Sequence, residues 1–522
     1  MEKFKEERIA QLREAKARAM LGGGEDKLAK VRAKGKLTAR ERIDRLLDPG
    51  SFVEFNMLIG HLDKMPGDGV VAGYGTVNGR VVCVYSQDTT VKGGSIGALH
   101  GFKMYRTVER ALEMQVPFVG IHDSPGARTP RPEEGGGALG AGAIGEKNGG
   151  SIFFPNTQAS GAIPQISAIM GSCAGISVYS PALTDFIFMV DGASHMFITG
   201  PLMVKSVMGE DVTAEELGGA AVHCSVSGVA DLRAENEDAC LQRIRELLDF
   251  LPSNHNQKPP RVDYGDDPER LDDSLAEIVP SNPNKAYDMH NVIYALVDKG
   301  YFFEIKPEFA PEMIVGFGRL DGQTVGIVAN QPMVRAGSLT VDGSDKQARF
   351  MRFCDSFNIP IILLVDTPAY MPGTNQEHGG IIRHGAKVLY ALCEATVPRM
   401  AVVLRKAYGG GNLGMGIVPG LGTDIIYFWP TVEMGVLGAE QAVALFYGAD
   451  IMKAENPAEF REQKLKEYRE KNANPLFEIN HNWYIDDLIE PRETRRALIR
   501  GLKLLADKKA ARYSKRHGNI PL

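Results

Sequence analysis

The chain repeats itself. Gly318-Arg319-Leu320-Asp321-Gly322 stands 243 residues after Gly75-Thr76-Val77-Asn78-Gly79, and the same offset carries Val116-Pro117-Phe118 onto Ile359-Pro360-Ile361. It also carries Ile121-His122-Asp123-Ser124-Pro125 onto Leu364-Val365-Asp366-Thr367-Pro368. Further on, Val397-Pro398 follows Ile163-Pro164 by 234, because the first copy has the longer loop. Within a copy, short β-rich runs (70–77, 80–86) lead into a Gly-rich turn, a helical stretch (98–115) and a strand (116–122). That order, made twice, predicts two tandem α/β domains of one kind. A chain of 522 residues is also longer than one core usually serves. The polar, proline-bearing segment 251–260 is the expected join, giving domains 1–255 and 256–522.

Ahead of the first copy, residues 1 to about 47 read as helical. Phe4, Ile9, Leu12 and Ala15 keep helical spacing, and Thr38-Ala39-Arg40-Glu41 has the form of a capping box. Such an arm is expected to pack on a body. A formal charge of -6 gives no general pull toward nucleic acid or an anionic membrane. The basic residues near the end (Arg495, Arg496, Arg500, Lys503, Lys508, Lys509, Arg512, Lys515 and Arg516) read as a solvated face. The six cysteines are scattered without a CxxC pair, which fits reduced thiols. No signal-like or membrane-spanning run is present, so a cytoplasmic location is expected.

Two places carry the chemistry. The apolar run 400–404 leads into Arg405-Lys406-Ala407-Tyr408-Gly409-Gly410-Gly411-Asn412-Leu413-Gly414, and the run 163–170 leads into Gly171-Ser172-Cys173-Ala174-Gly175-Ile176. Each reads as a buried strand turning on small residues, where backbone NH groups can converge on an oxyanion. Ordinary tight turns would carry the same residues, and the pattern leaves both readings open. The GxGxxG match at 140–145 has no strand before it, and the one at Gly409, Gly411 and Gly414 lacks the expected βαβ order, so neither is a dinucleotide fingerprint. His378 and His384 flank glycines but have no partners at metal-ligand spacing, and no metal is expected. Segment 128–151 holds eight glycines and reads as a lid or a surface insertion.

Longer motifs span most of the chain: Gly35-Lys36-Leu37-Thr38-Ala39-Arg40-Glu41-Arg42-Ile43, Tyr179-Ser180-Pro181-Ala182-Leu183-Thr184-Asp185-Phe186, Phe197-Ile198-Thr199-Gly200-Pro201, residues 209–219, residues 376–385 and the terminal His517-Gly518-Asn519-Ile520-Pro521-Leu522. In these the chain resembles the carboxyltransferase subunits of biotin-dependent acyl-CoA carboxylases and decarboxylases, of the propionyl-CoA carboxylase β and methylmalonyl-CoA decarboxylase α type. The resemblance implies two crotonase-like domains, an acyl-CoA side in the first and a biotin side in the second, in a homo-hexamer with sites at a dimer interface. It implies that carboxybiotin releases CO2 and that the biotin nitrogen takes the acyl α-proton. One loop would hold the ureido oxyanion and the other the thioester enolate.

Carried over by motif, the oxyanion positions are Gly175 and Ile176, and Gly410 and Gly411. The substrate-contacting positions are Leu413, Asn412, Ala127, Arg128, Gly94 and Ser95. Ile176 stands where the family usually has glycine, and Leu413 where propionyl-CoA enzymes usually have aspartate; in this the loop is similar to that of methylcrotonyl-CoA carboxylase β subunits. Asp123-Ser124-Pro125-Gly126-Ala127-Arg128-Thr129 also departs from the usual pattern. No ATP-grasp domain and no Met-Lys-Met biotinylation site is present, so biotin must come on a partner. That partner set is a carboxyl carrier and a biotin carboxylase, or a membrane decarboxylase subunit. A crotonase-type hydratase or isomerase, and a non-catalytic CoA-binding scaffold, are the alternatives.

Overall fold

The computed structural model describes residues 2–128, 151–472, 474–481, 483–511 and 513–521. The chain divides into two units, Met1–Gln257 and Lys258–Leu522. Among the described residues, the first unit has strands β1 (Val53–Glu54), β2 (Val70–Val77), β3 (Arg80–Gln87), β4 (Phe118–Ser124), β5 (Gln165–Ala174), β6 (Phe186–Val190), β7 (His195–Phe197) and β8 (Leu232–Ala234). They form one sheet in the order β1-β2-β3-β4-β5-β6-β8, with β7 paired to β5. The first three strands are antiparallel and the rest parallel. The second unit repeats the plan with β9 (Phe303–Ile305), β10 (Met313–Leu320), β11 (Gln323–Asn330), β12 (Ile361–Thr367), β13 (Arg399–Tyr408), β14 (Ile425–Phe428), β15 (Glu433–Gly435) and β16 (Asp487–Leu488). Here the order is β9-β10-β11-β12-β13-β14-β16, with β15 paired to β13.

The repeated Asn78-Gly79 and Asp321-Gly322 are the turns of the β2–β3 and β10–β11 hairpins, with all four residues at positive φ (50, 77, 52 and 75). A two-residue hairpin turn of this hand matches strand twist and favours Asn-Gly or Asp-Gly. Each turn is held by a carboxylate. Asp48 accepts from the NH groups of Asn78 and Gly79 and from Arg245, and Asp298 accepts from those of Asp321 and Gly322 and from Arg495. Arg495 is therefore fully buried rather than part of a solvated face. β4 and β12 are buried along their whole length, which is why they read as unbroken apolar runs.

The helical arm is α1 (Glu2–Met20), α2 (Glu25–Ala33) and α3 (Ala39–Leu46). The Thr38–Glu41 capping box forms, and α3 buries Arg42, Ile43 and Leu46. α1 does not pack as expected: Phe4 and Leu12 are exposed, because the helix is too polar to have a core-facing stripe. Five cysteines are buried and Cys393 is exposed. Among the described residues, no helix is long and apolar enough to cross a membrane. The glycine-rich segment expected as a lid or insertion lies almost wholly outside the described residues.

Candidate active site

The strands that lead to the two loops run further than the apolar runs alone suggest, β5 to Ala174 and β13 to Tyr408. Both contain a bulge. β4 and β5 pair up to His122 and Ile169, and the next pair is Ser124 with Cys173; β12 and β13 pair up to Val365 and Val403, and the next pair is Thr367 with Ala407. The extra residues bend the strand and re-aim its end. The displaced ends are then picked up by short strands, β7 against Ser172–Ala174 and β15 against Lys406–Tyr408.

Each re-aimed strand ends on a glycine at positive φ, Gly175 at 60 and Gly409 at 49. Gly175 opens a 3-10 turn, Gly175–Val178, and Gly409 precedes a short helix, Gly410–Gly414. No side chain caps either start. The first NH groups of a helical turn have no partner within it. Gly175 and Ile176 open the turn on one loop, and Gly410 and Gly411 open the helix on the other, with no side-chain cap at either start. On the second loop a Cβ at Gly411 would stand 2.9 Å from Thr367 Cγ2, and one at Gly414 2.4 Å from Leu339 Cδ1. Gly410 and Leu413 are exposed, whereas Asn412 Oδ1 is buried with no hydrogen-bond partner among the described residues.

The remaining nominated positions converge beside the first loop. Ile96 and Ala127 form a parallel bridge, and the Arg128 guanidinium donates to Asp68 Oδ1 at 2.7 Å and to the Ser95 carbonyl at 2.8 Å. Arg128 thus buttresses the Gly94-Ser95 turn and has its charge engaged by buried Asp68. Gly94 lies so close to the Asp123 carbonyl that a Cβ would approach it to 2.6 Å, and Gly126 is as tightly set against the Ala174 carbonyl. The second unit copies this, with a Leu339–Tyr370 bridge and Gly337 over the Asp366 carbonyl. Tyr370 is thus the counterpart of Ala127. His384 is hydrogen-bonded to Asp345 at 2.8 Å.

What the motifs did not nominate is the charge at the bulges. Asp123 and Asp366, which the repeat pairs, donate their backbone NH groups to Gln87 Oε1 and Asn330 Oδ1, at 2.9 and 3.2 Å. Their carboxylates pair with Arg42 and Arg405, at 3.1 and 3.0 Å. A cleft of about 470 Å³ opens beside the first loop, lined by Lys27, Lys30, Lys34, Lys36, Ser172 and His195 among others.

Two units of this topology, each ending a bulged parallel strand in uncapped NH donors, define a tandem crotonase-like carboxyltransferase fold. A crystal structure of the transcarboxylase 12S core has the same fold over 99% of this chain and 98% of its own, with 44% identity and a TM-score of 0.92. The carboxyl transferase domain model matches residues 30–520, and the chain belongs to that family. It is 51% identical to the propionyl-CoA carboxylase carboxyltransferase subunit of Haloferax mediterranei and 51% identical to the methylmalonyl-CoA decarboxylase subunit alpha of Veillonella parvula, in both cases over 99% of each chain.

Proposed function

We propose that this chain is the carboxyltransferase component of a biotin-dependent carboxylase or decarboxylase, moving a carboxyl group between biotin and a short or branched acyl-CoA of the propionyl/methylmalonyl type. The observation that carries the reading is the pair of uncapped loops at equivalent places in the two units. A carboxyl transfer needs two oxyanions stabilised, one on each reactant, and backbone NH groups can do this without a side-chain base. The transcarboxylase 12S structure is described as hexameric and as holding methylmalonyl-coenzyme A, which supports both the substrate class and a homo-hexamer. A cytoplasmic location is part of the same reading.

In this reading Gly175 and Ile176 serve the acyl-CoA side in unit 1, and Gly410 and Gly411 the biotin side in unit 2. The lysine-lined cleft beside Ser172 supports the first assignment, since CoA carries several phosphates. The second loop fits a ureido oxygen: its donors are uncapped and Gly410, being exposed, leaves room for one. Biotin, borne on a partner chain, would carry the carboxyl group and offer a ring nitrogen as acceptor for the acyl α-proton. Gly94, Ser95, Ala127 and Arg128 shape the approach to the first loop, and Asn412 and Leu413 flank the second. Leu413, where an aspartate is usual for propionyl-CoA, favours a reshaped acyl pocket.

The test is decarboxylation by the purified protein with free biotin, comparing methylmalonyl-, malonyl-, glutaconyl- and 3-methylglutaconyl-CoA. Biotin-dependent loss of carboxylate from one of these is expected. Turnover that proceeds equally without biotin would sink the reading.

A further inference from the structure

The two bulges are filled by the same kinds of group, drawn from different parts of the chain. In the second unit the groups on the aspartate come from β13 itself. Asp366 receives Arg405 Nε at 3.0 Å and the Lys406 NH at 3.3 Å, and the Leu404 carbonyl, which the bulge leaves out of the β12–β13 pairing, accepts from Thr431 Oγ1 at 2.6 Å. In the first unit the counterpart of Arg405 is Gly171, and it has to be small. A Cβ there would lie 2.0 Å from Asp123 Oδ1.

The Asp123 carboxylate therefore lies over its own strand, and the cations come from the arm ahead of the sheet. Arg42 Nη2 donates to Asp123 Oδ2 at 3.1 Å and to the Met170 carbonyl at 3.2 Å. Lys36 Nζ reaches the same two oxygens at 3.4 and 3.0 Å. Met170 is the counterpart of Leu404, so its freed carbonyl meets the arm where the second unit uses a hydroxyl. Glu237 accepts from Arg42 Nε at 2.9 Å and shares Nη2, at 2.7 Å, with Asp123 and Met170, and the arginine is 2% exposed.

We propose that residues 35–42 are a working part of the first oxyanion loop, with Arg42 as its positioning residue. The bulge lies five residues before Gly175, and Gly126, three residues beyond Asp123, sits against the Ala174 carbonyl. Without the guanidinium, buried Asp123 loses its closer cation and keeps only Lys36 at 3.4 Å, and the Met170 carbonyl loses one of its two donors, so the bulge is held less firmly. A strand that slips moves every following group, and the NH groups of Gly175 and Ile176 then point elsewhere. Arg42 touches no reactant and acts through β5. In unit 2 the strand carries its own arginine and makes no such demand.

This inference rests on the assignment of Gly175 and Ile176 as oxyanion donors, and two readouts keep the two claims apart. In biotin-dependent decarboxylation, Arg42→Gln and the near-isosteric Asp123→Asn should lower kcat by about 10- to 100-fold, the scale on which small misplacements act, with KM for the acyl-CoA within about twofold. Glu237→Gln, which leaves Arg42 on Asp123 and Met170, should lose less than about threefold. The second readout is hydrogen exchange over residues 170–178, which should accelerate at least tenfold in Asp123→Asn. Unchanged exchange in that segment overturns the inference whatever the activity, and so does a Glu237→Gln loss as large as that of Arg42→Gln. If Arg42→Gln does not fold, Asp123→Asn decides. Biotin-independent turnover by the wild type counts against the proposed function, while the exchange result still decides the role of Arg42.

Discussion

Gly175 and Gly409 close the two bulged strands at equivalent places but leave them differently. Gly175, at φ 60, opens into space: a Cβ there would find its nearest neighbour, the Ile198 carbonyl oxygen, 4.0 Å away. Gly409 has φ 49 and ψ -128, and a Cβ on it would lie 3.0 Å from the Val436 carbonyl oxygen. The first combines a positive φ with room for a Cβ, which other residues adopt at a cost. The second is a conformation that belongs to glycine.

Substitution by alanine should separate them. Gly175→Ala costs about 1–2 kcal/mol of local strain, and we expect kcat to stay within a few-fold of wild type. Gly409→Ala adds a steric conflict to strain of about 1–3 kcal/mol and should turn the Gly410 and Gly411 NH groups away, lowering kcat at least about tenfold. Steady-state kinetics with acyl-CoA and free biotin checks both. Equal losses would mean that the two turns are interchangeable in function.

Arg405 and Asp366 make a buried ion pair, with side chains 2% and 0% exposed. Arg405 also donates to the carbonyls of Asn282 and Lys285. Removing one partner of such a pair leaves an uncompensated charge and costs about 3–5 kcal/mol. Arg405→Met should therefore lower the thermal midpoint by on the order of 10 °C, and the double variant Arg405→Met/Asp366→Leu should recover part of it. A single variant as stable as wild type would show that the charge is not buried in solution.

The repeat made the fold legible because its signature residues are structural punctuation. Asn78-Gly79 and Asp321-Gly322 are hairpin turns, and the apolar runs ending in Asp123 and Asp366 are the central strands. The loops at Gly175 and Gly410 were legible for the same reason, as small residues after a strand. The bulges were not, since Arg405-Lys406 and Gly171-Ser172 read as loop residues when they are still strand. Nor was Arg42: its partner Asp123 is 81 residues away, and no local pattern marks a contact at that separation. Arg495 reads as one more exposed basic residue until Asp298 is seen beside it, although the Asp48–Arg245 pair in the first unit carries the same signal.

Leu413 is exposed on the second loop, where an aspartate is usual in propionyl-CoA enzymes of this kind. If it shapes the acyl pocket, Leu413→Asp should shift the ratio of kcat/KM between a branched and a linear acyl-CoA. A difference of one methylene in an apolar pocket is worth about 1–3 kcal/mol, or roughly 10- to 200-fold. Competition between 3-methylglutaconyl- and methylmalonyl-CoA measures it. A ratio unmoved by the substitution would place the specificity elsewhere, with Ile176 the next residue to change.

His122 is wholly buried, with Nε2 3.4 Å from the Tyr85 hydroxyl and Nδ1 without a partner among the described residues. Burial pushes its pKa down to about 3, from an ordinary value of 6.5. The unfolded chain takes up this proton near pH 6.5 and the native one not until about pH 3, so the unfolded state binds more protons throughout that window. Stability from this group is therefore complete above pH 6.5 and is lost as pH falls toward 3. At pH 5 the loss is about 2 kcal/mol. Burial lowers His100 in the same way, so the acid limb has two contributors. Val365, the counterpart of His122 in β12, shows that an aliphatic side chain suits this place in the strand. His122→Leu should therefore narrow the stability difference between pH 7 and pH 5 by about 1–2 kcal/mol, measured by denaturant unfolding at the two pH values. A variant that keeps the full wild-type pH dependence would show that His122 is not withheld from protons in the native protein.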